Sequence, residues 1–83
     1  MRIHYFAAAR AAAGVAEEEV GEYPTLGRLL ADASLRHPAP QTGLTLGEVL
    51  TRCTFLVDGR RADLDTPLAG ASRVDVLPPF AGG

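Results

Sequence analysis

Apolar and polar residues alternate over "RIHYFA" at 2–7. Ile3, Tyr5 and Ala7 fall on one side and Arg2, His4 and Phe6 on the other, the two-residue period of a β-strand. The "AARAAAG" run lacks that period. Its alanines and Gly14 predict a short helical turn, or a loop with a glycine stop. "VAEEEVGEY" alternates weakly and predicts an edge strand, its glutamates solvated and discouraging unwanted pairing. Pro24 ends it. In "TLGRLLADASLRH" the period changes: Leu26, Leu29, Leu30 and Ala33 recur at helical spacing behind Thr25, an expected N-cap, with Arg28, Asp32 and Arg36 on the other face.

"HPAPQTG" must be a loop, because Pro38 and Pro40 break regular pairing. "TLGEVLTRC" predicts a second, shorter helix, in which Thr45 and Glu48 have the spacing of a capping box. The likeness of "TLGRLL" and "TLGEVL" reads as one helix start used twice, since the flanking strands do not repeat. "TFLVDGRRADL" predicts a hairpin turning at Asp58-Gly59, and "RVDVL" a last strand. The fold class is therefore α+β: a roll in which one mixed sheet of about five strands packs on one main helix plus a short one.

The alternation also sorts the faces. Ile3, Tyr5, Phe55, Val57, Val74 and Val76 form a consistent inward set, leaving Phe6, Leu56 and Leu77 outward with His4 and Asp75. If the first and last strands are neighbours, those three make an exposed apolar patch beside the C-terminus. Such a patch is either a binding surface or is covered by the alanine segment 8–13; the first reading is preferred.

Composition narrows the function. With 83 residues the chain has room for one small domain, expected at 1–77, followed by a tail at 78–83. A formal charge of −2, with all basic residues Arg and spread along the chain, gives no reason to expect nucleic acid or a membrane surface as partner. The single cysteine excludes an internal disulfide and fits a reducing compartment. No apolar run approaches a membrane span and no signal sequence is visible, so the expected location is the cytoplasm. Cys53 reads as a buried structural thiol, with a persulfide relay the sharper alternative. His4 and His37 have no Cys or acidic residue at ligand spacing, which argues against a metal site. No phosphate loop and no nucleophile–base pair is present, so no enzyme is expected in the chain alone.

The ending "PPFAGG" carries the chemistry. Pro78 and Pro79 cannot donate to a ladder and direct the chain away from the sheet. Phe80 suits a pocket on a partner. Ala81, Gly82 and Gly83 taper to a backbone slim enough for a narrow channel, with the α-carboxylate of Gly83 at its tip. A carboxylate resists nucleophiles until it is activated, for example by adenylation with ATP, and sulfur or an amine can then capture the acyl group.

On "FAAAR", "TLGRLL", "FLVDG", "PLAGASRVDVLPP" and the terminal "GG", the chain resembles the ubiquitin-like (β-grasp) sulfur carriers of the MoaD/ThiS kind, and within them the small subunit of molybdopterin synthase. The likeness covers nearly the whole chain, and "PP…GG" is its most specific part. The resemblance implies that Gly83 is adenylated by an E1-like enzyme and becomes a thiocarboxylate fed by a sulfurtransferase or other sulfur donor. It implies that Pro78 to Gly82 thread the tail into partner sites. The large synthase subunit, in a heterotetramer, then uses the sulfur for the dithiolene of the molybdenum cofactor. No cofactor is held by the carrier, and ATP is used by the activating partner. Phe6, Arg10, Leu56 and Leu77 are the implied partner-binding residues, Arg10 being equally readable as a solvated loop arginine. The chain departs from the family at "GASRV", usually an acidic turn, and at Arg61, commonly aliphatic and in contact with partners. Other readings stay open: a carrier for thiazole or cysteine formation, a ubiquitin-like protein modifier, or an interaction module with an inert tail.

Overall fold

The computed structural model describes residues 1–37 and 43–79. The loop expected at 38–42 and the tail from Phe80 onward lie outside the described residues. Five strands form one mixed sheet in the order β2-β1-β5-β3-β4. They are β1 (Arg2–Tyr5), β2 (Glu17–Glu19), β3 (Thr54–Val57), β4 (Arg60–Ala62) and β5 (Arg73–Leu77). β1 and β5 pair in parallel at the centre, and the other pairs are antiparallel. This is a β-grasp arrangement, with the first and last strands as neighbours.

Helices cover one face. α2 (Leu26–Arg36) is the main one and α3 (Leu46–Leu50) the short one. The alanine run, which the sequence leaves between helical turn and loop, is a third helix, α1 (Ala7–Ala13), stopped by Gly14 in the left-handed conformation at φ 81°. Ala9, Ala12 and Ala13 are buried in it, because small side chains let the backbone lie close to its neighbours. Between the layers lie Ile3, Tyr5, Phe55, Val74 and Val76 from the sheet and Leu26, Leu29, Leu30, Ala33, Leu46, Val49 and Leu50 from α2 and α3. Val57, expected inside, is only half-buried, at the end of β3 where the hairpin turns.

Both helix starts are held by the expected caps. Thr25 Oγ1 accepts from the Arg28 amide at 3.3 Å, and Thr45 and Glu48 form the reciprocal box, with the Thr45 amide donating to Glu48 Oε1 at 2.9 Å. Those bonds hold the Glu48 carboxyl below its usual range. The two "TLG" starts differ beyond the cap. The amides of Leu26 and Gly27 donate to the carbonyls of Thr66 and Leu64 at 3.0 and 2.9 Å, so the 64–66 loop satisfies orphan donors of α2. A Cβ at Gly27 would stand 3.1 Å from the Leu64 oxygen, whereas one at Gly47 would meet Ser34 Oγ at an ordinary 3.6 Å.

One expectation is corrected at the sheet edge. The glutamate run is not solvated throughout, since Glu18 lies opposite Ile3 on the covered face. Its carboxylate accepts from Tyr5 Oη at 2.7 Å and from Arg36 at 2.7 Å, and it stands 3.2 Å from His37 Nε2. Burial opposes its ionisation. The hydrogen bonds from Arg36, Tyr5 and His37 outweigh that and hold its carboxyl below the usual range. Arg36 also pairs with Asp32, to which Tyr23 donates its hydroxyl proton. The polar face of α2 is thereby tied to the edge strand.

Candidate functional site

The parallel pairing of β1 with β5 carries the ends of both strands to one end of the sheet. Tyr5 stands opposite Val76, and the Phe6 amide donates to the Val76 carbonyl at 3.2 Å, which places Phe6 beside Leu77. Antiparallel β3 brings its first residue, Thr54, opposite Leu77 from the other side. The chain leaves β1 through Ala7, whose φ of 48° is left-handed. For an alanine that conformation costs about 1 kcal/mol. It swings the backbone from strand to helix and sets Ala7 and Ala8 as a wall. Pro78 and Pro79 form the opposite wall, since without amide protons they end the ladder at Leu77.

These residues enclose an open apolar groove of about 560 Å³, lined by Phe6, Ala7, Ala8, Thr54, Leu77, Pro78 and Pro79. None of them is charged. Phe6 is 40% exposed, a large share for an aromatic side chain, and its ring lies nearly parallel to that of His4 with centroids 6.5 Å apart. The alanine segment does not cover the patch. It forms one side of the groove instead.

The structure brings Phe6, Leu77, Pro78 and Pro79 together but leaves other expected residues outside the lining. Leu56 is half-buried one row further along the outer face, opposite Asp75. Arg10 is exposed on α1 and does not reach the groove. Phe80, Ala81, Gly82 and Gly83 lie outside the described residues. Thr54, Ala7 and Ala8 were missed as lining residues. The alternation of Thr54 with Leu56 was a usable signal for the first; for the alanines only the pairing of β1 with β5 reveals the role.

Asp75 faces outward as the alternation requires, yet it is 9% exposed, because Arg73 Nε lies over it at 2.7 Å from Oδ1. Of the remaining outer-face charges, all but Arg61 pair within the chain among the described residues. Arg2 holds Glu17 at 2.9 Å and Glu19 at 3.1 Å, the terminal amine holds Glu19 at 2.9 Å, and His4 Nδ1 is 3.3 Å from Glu17. Cys53 precedes Thr54 but does not line the groove. Its Sγ donates to the Val49 carbonyl at 3.2 Å, and burial pushes its thiol up to about 11, which fits a structural role. Among the described residues no three His, Cys, Asp or Glu side chains converge as a metal site, and no helix is long and apolar enough to cross a membrane. The groove is an open, uncharged apolar surface beside the end of β5.

Comparisons with known proteins agree with this geometry. The sequence matches the ThiS family over residues 3–83. No curated protein matches. Among solved structures, SAMP1 of Haloferax volcanii is similar at 26% identity with a TM-score of 0.73, covering 99% of this chain and 97% of its own. A protein assigned as molybdopterin converting factor, subunit 1, from Pyrococcus furiosus is similar at 30% identity with a TM-score of 0.69, covering 95% of both chains. A further structure of the H. volcanii small archaeal modifier protein 1 shares the fold at 24% identity and a TM-score of 0.70.

Proposed function

Because the chain belongs to the ThiS family of ubiquitin-like carriers and modifiers, we propose that it is a sulfur carrier for molybdopterin synthesis, acting as the non-catalytic small subunit of the synthase in the cytoplasm. The observation that carries this reading is the apolar groove at the base of the tail, uncharged and open, in a chain that ends in Gly-Gly. The likeness to the P. furiosus protein favours the molybdopterin pathway over thiazole or cysteine synthesis.

The chemistry is done by partners. An E1-like enzyme joins the Gly83 carboxylate to the α-phosphorus of ATP, and pyrophosphate leaves. Sulfur from a sulfurtransferase persulfide or another donor attacks the acyl carbon, the bond to AMP breaks, and a reductant releases the thiocarboxylate from the donor. The large subunit receives the tail, the thiocarboxylate sulfur bonds to the pterin precursor, and water then cleaves the acyl–sulfur bond, leaving the sulfur on the pterin and Gly83 as a carboxylate. This chain contributes the groove that docks the partner, the prolines that aim the tail, and two glycines that fit a narrow channel.

Incubation with an E1-like enzyme, ATP and a sulfur donor tests the proposal by intact mass, with sulfur replacing oxygen at Gly83 as the expected product. Deleting Gly83 abolishes the product and leaves the melting temperature unchanged. The likeness to SAMP1 supports a second reading, a protein modifier attached through Gly83 to lysines. The chain itself has no lysine, so it cannot extend through lysine-linked chains of its own. Lysine adducts without thiocarboxylate would favour that reading.

A further inference from the structure

The groove is built in part by the residues that lead into the tail. Pro78 and Pro79 form one wall of it, facing Ala7 and Ala8. Four residues follow Pro79, in the order Phe-Ala-Gly-Gly. Phe80 carries the one large apolar side chain among them, and it is bonded directly to a residue of the groove wall. Consecutive Cα atoms stand about 3.8 Å apart, so the start of the tail is tied to the rim wherever its last glycines go. An aromatic side chain that suits a pocket on a partner thus has an apolar pocket of its own chain one residue away.

Direction and size agree with that pocket. Two prolines favour the polyproline path, which has about three residues per turn. Leu77 and Phe80 are three apart, so on that path their side chains leave the chain on the same side. Leu77 lines the groove, and the same side takes the Phe80 ring over it. The groove measures about 560 Å³ and no charged residue lines it among the described residues. Phe6, 40% exposed, offers an aromatic neighbour as well as apolar area. A side chain of another protein must be brought there from solution. Phe80 is held at the rim by the backbone, at an effective concentration on the order of millimolar or above.

We propose that in the free chain Phe80 packs into the groove and holds the tail against the sheet, and that a partner docking on the groove displaces it and frees Gly83. The contact stands apart from the carrier reading above; its consequence for the partner rests on that reading. Every partner then competes with the same ring, so the affinity of Phe80 for the groove is subtracted from its own. A protein that touches the tail but does not engage the groove meets a tail that is still tied down. Docking and release of the reactive end become one event.

Nuclear magnetic resonance on the full chain, free in solution, tests the contact. Nuclear Overhauser contacts are expected from the Phe80 ring to the methyl groups of Leu77 and Ala8, with those methyl resonances displaced by the ring current. Phe80→Ala abolishes the contacts and moves the Leu77 and Ala8 resonances, while the buried Val74 methyls keep theirs and show that the fold is intact. The same variant binds an apolar fluorescent dye severalfold more tightly, because the groove is uncovered, and Phe80→Leu behaves as the unmodified chain does. Leu77 and Ala8 resonances that are identical in the unmodified chain and in Phe80→Ala overturn the contact and leave the carrier reading standing. Ring contacts that survive in the complex with the E1-like enzyme of the same genome overturn the displacement. Failure of the chain to be adenylated overturns the carrier reading, while the ring contacts of the free chain are read without any partner.

Discussion

The Glu18 carboxylate on the edge strand β2 lies 2.7 Å from the Arg36 guanidinium in the last turn of α2, joining residues far apart in the chain. Tyr5 donates to the same carboxylate from the core strand β1. Burial first, and then the hydrogen bond to Glu18, raise the Tyr5 phenol above its ordinary value. Glu18→Ala leaves a buried hydroxyl without its acceptor and is expected to cost about 2 kcal/mol in urea unfolding at pH 7. The folded carboxyl titrates below its unfolded value, so its contribution is present above the unfolded pKa of about 4.3 and is lost as pH falls through the lower folded one. The difference between wild type and Glu18→Gln should therefore shrink as pH falls below about 5. A difference that stays constant across that window would show that Glu18 acts by packing alone.

Gly27 and Gly47 follow the same Thr-Leu pair but should respond oppositely to alanine. At Gly27 the new Cβ stands 3.1 Å from a backbone oxygen that also accepts the Gly27 amide, so Gly27→Ala is expected to destabilise by about 1–2 kcal/mol. At Gly47 the contact is ordinary, and Gly47→Ala should stabilise by about 0.5 kcal/mol through the lower conformational entropy of the unfolded chain. Thermal unfolding of the two variants measures the contrast.

Asp58 fixes the distal end of the sheet. Its carboxylate accepts from the Ser72 amide at 3.0 Å and from the Arg73 amide at 2.9 Å, while its own backbone sits at φ 49° in the hairpin turn. Asp58→Ala removes the acceptor and puts alanine in a left-handed conformation, an expected loss of about 2 kcal/mol. Asp58→Asn keeps an acceptor oxygen and tolerates the backbone, and should lose less than half of that. Urea unfolding of both variants ranks the two contributions.

At the groove, binding and stability should separate. Leu77 is half-buried at the end of β5, so Leu77→Arg is expected to lower stability by less than about 1 kcal/mol while weakening partner binding more than tenfold. Calorimetry of the variant against its partner, beside its melting curve, checks this. A loss of stability larger than the loss of binding would assign Leu77 to the core.

Cys53 should be chemically quiet. With its thiol raised to about 11 by burial, only about one part in a thousand is thiolate at pH 8. Alkylation by iodoacetamide should be far slower than for free cysteine, and Cys53→Ser should leave thiocarboxylate formation at Gly83 intact. Loss of sulfur transfer in that variant would restore the persulfide relay.

Local periodicity made most of the elements legible. The spacing of Leu26, Leu29, Leu30 and Ala33, the Thr45–Glu48 box and the Asp58-Gly59 turn each depend on residues close in the chain, and the structure follows them; the alternation at 2–7 is followed only to Tyr5, since Ala7 opens α1 and is exposed. Where distant residues decide, the reading faltered. Glu18 looked like one of three equivalent edge charges. Its difference lies in Arg36, Tyr5 and His37, which only the packing of α2 against β1 and β2 brings within reach. Asp75 looked open because alternation reports a face and not what lies across it.

The sequence by itself determined the strand and helix periods, the caps and the proline stop at Pro78, because each is a property of neighbouring residues. Only the tertiary structure decided that Phe6 and Leu77 share a groove with Thr54, Ala7 and Ala8, and that Leu56 and Arg10 stand outside its lining. The physical reason is the parallel pairing of β1 with β5. Hydrogen bonds between the two ends of the chain set that register, and it aligns the exit of the first strand with the origin of the tail.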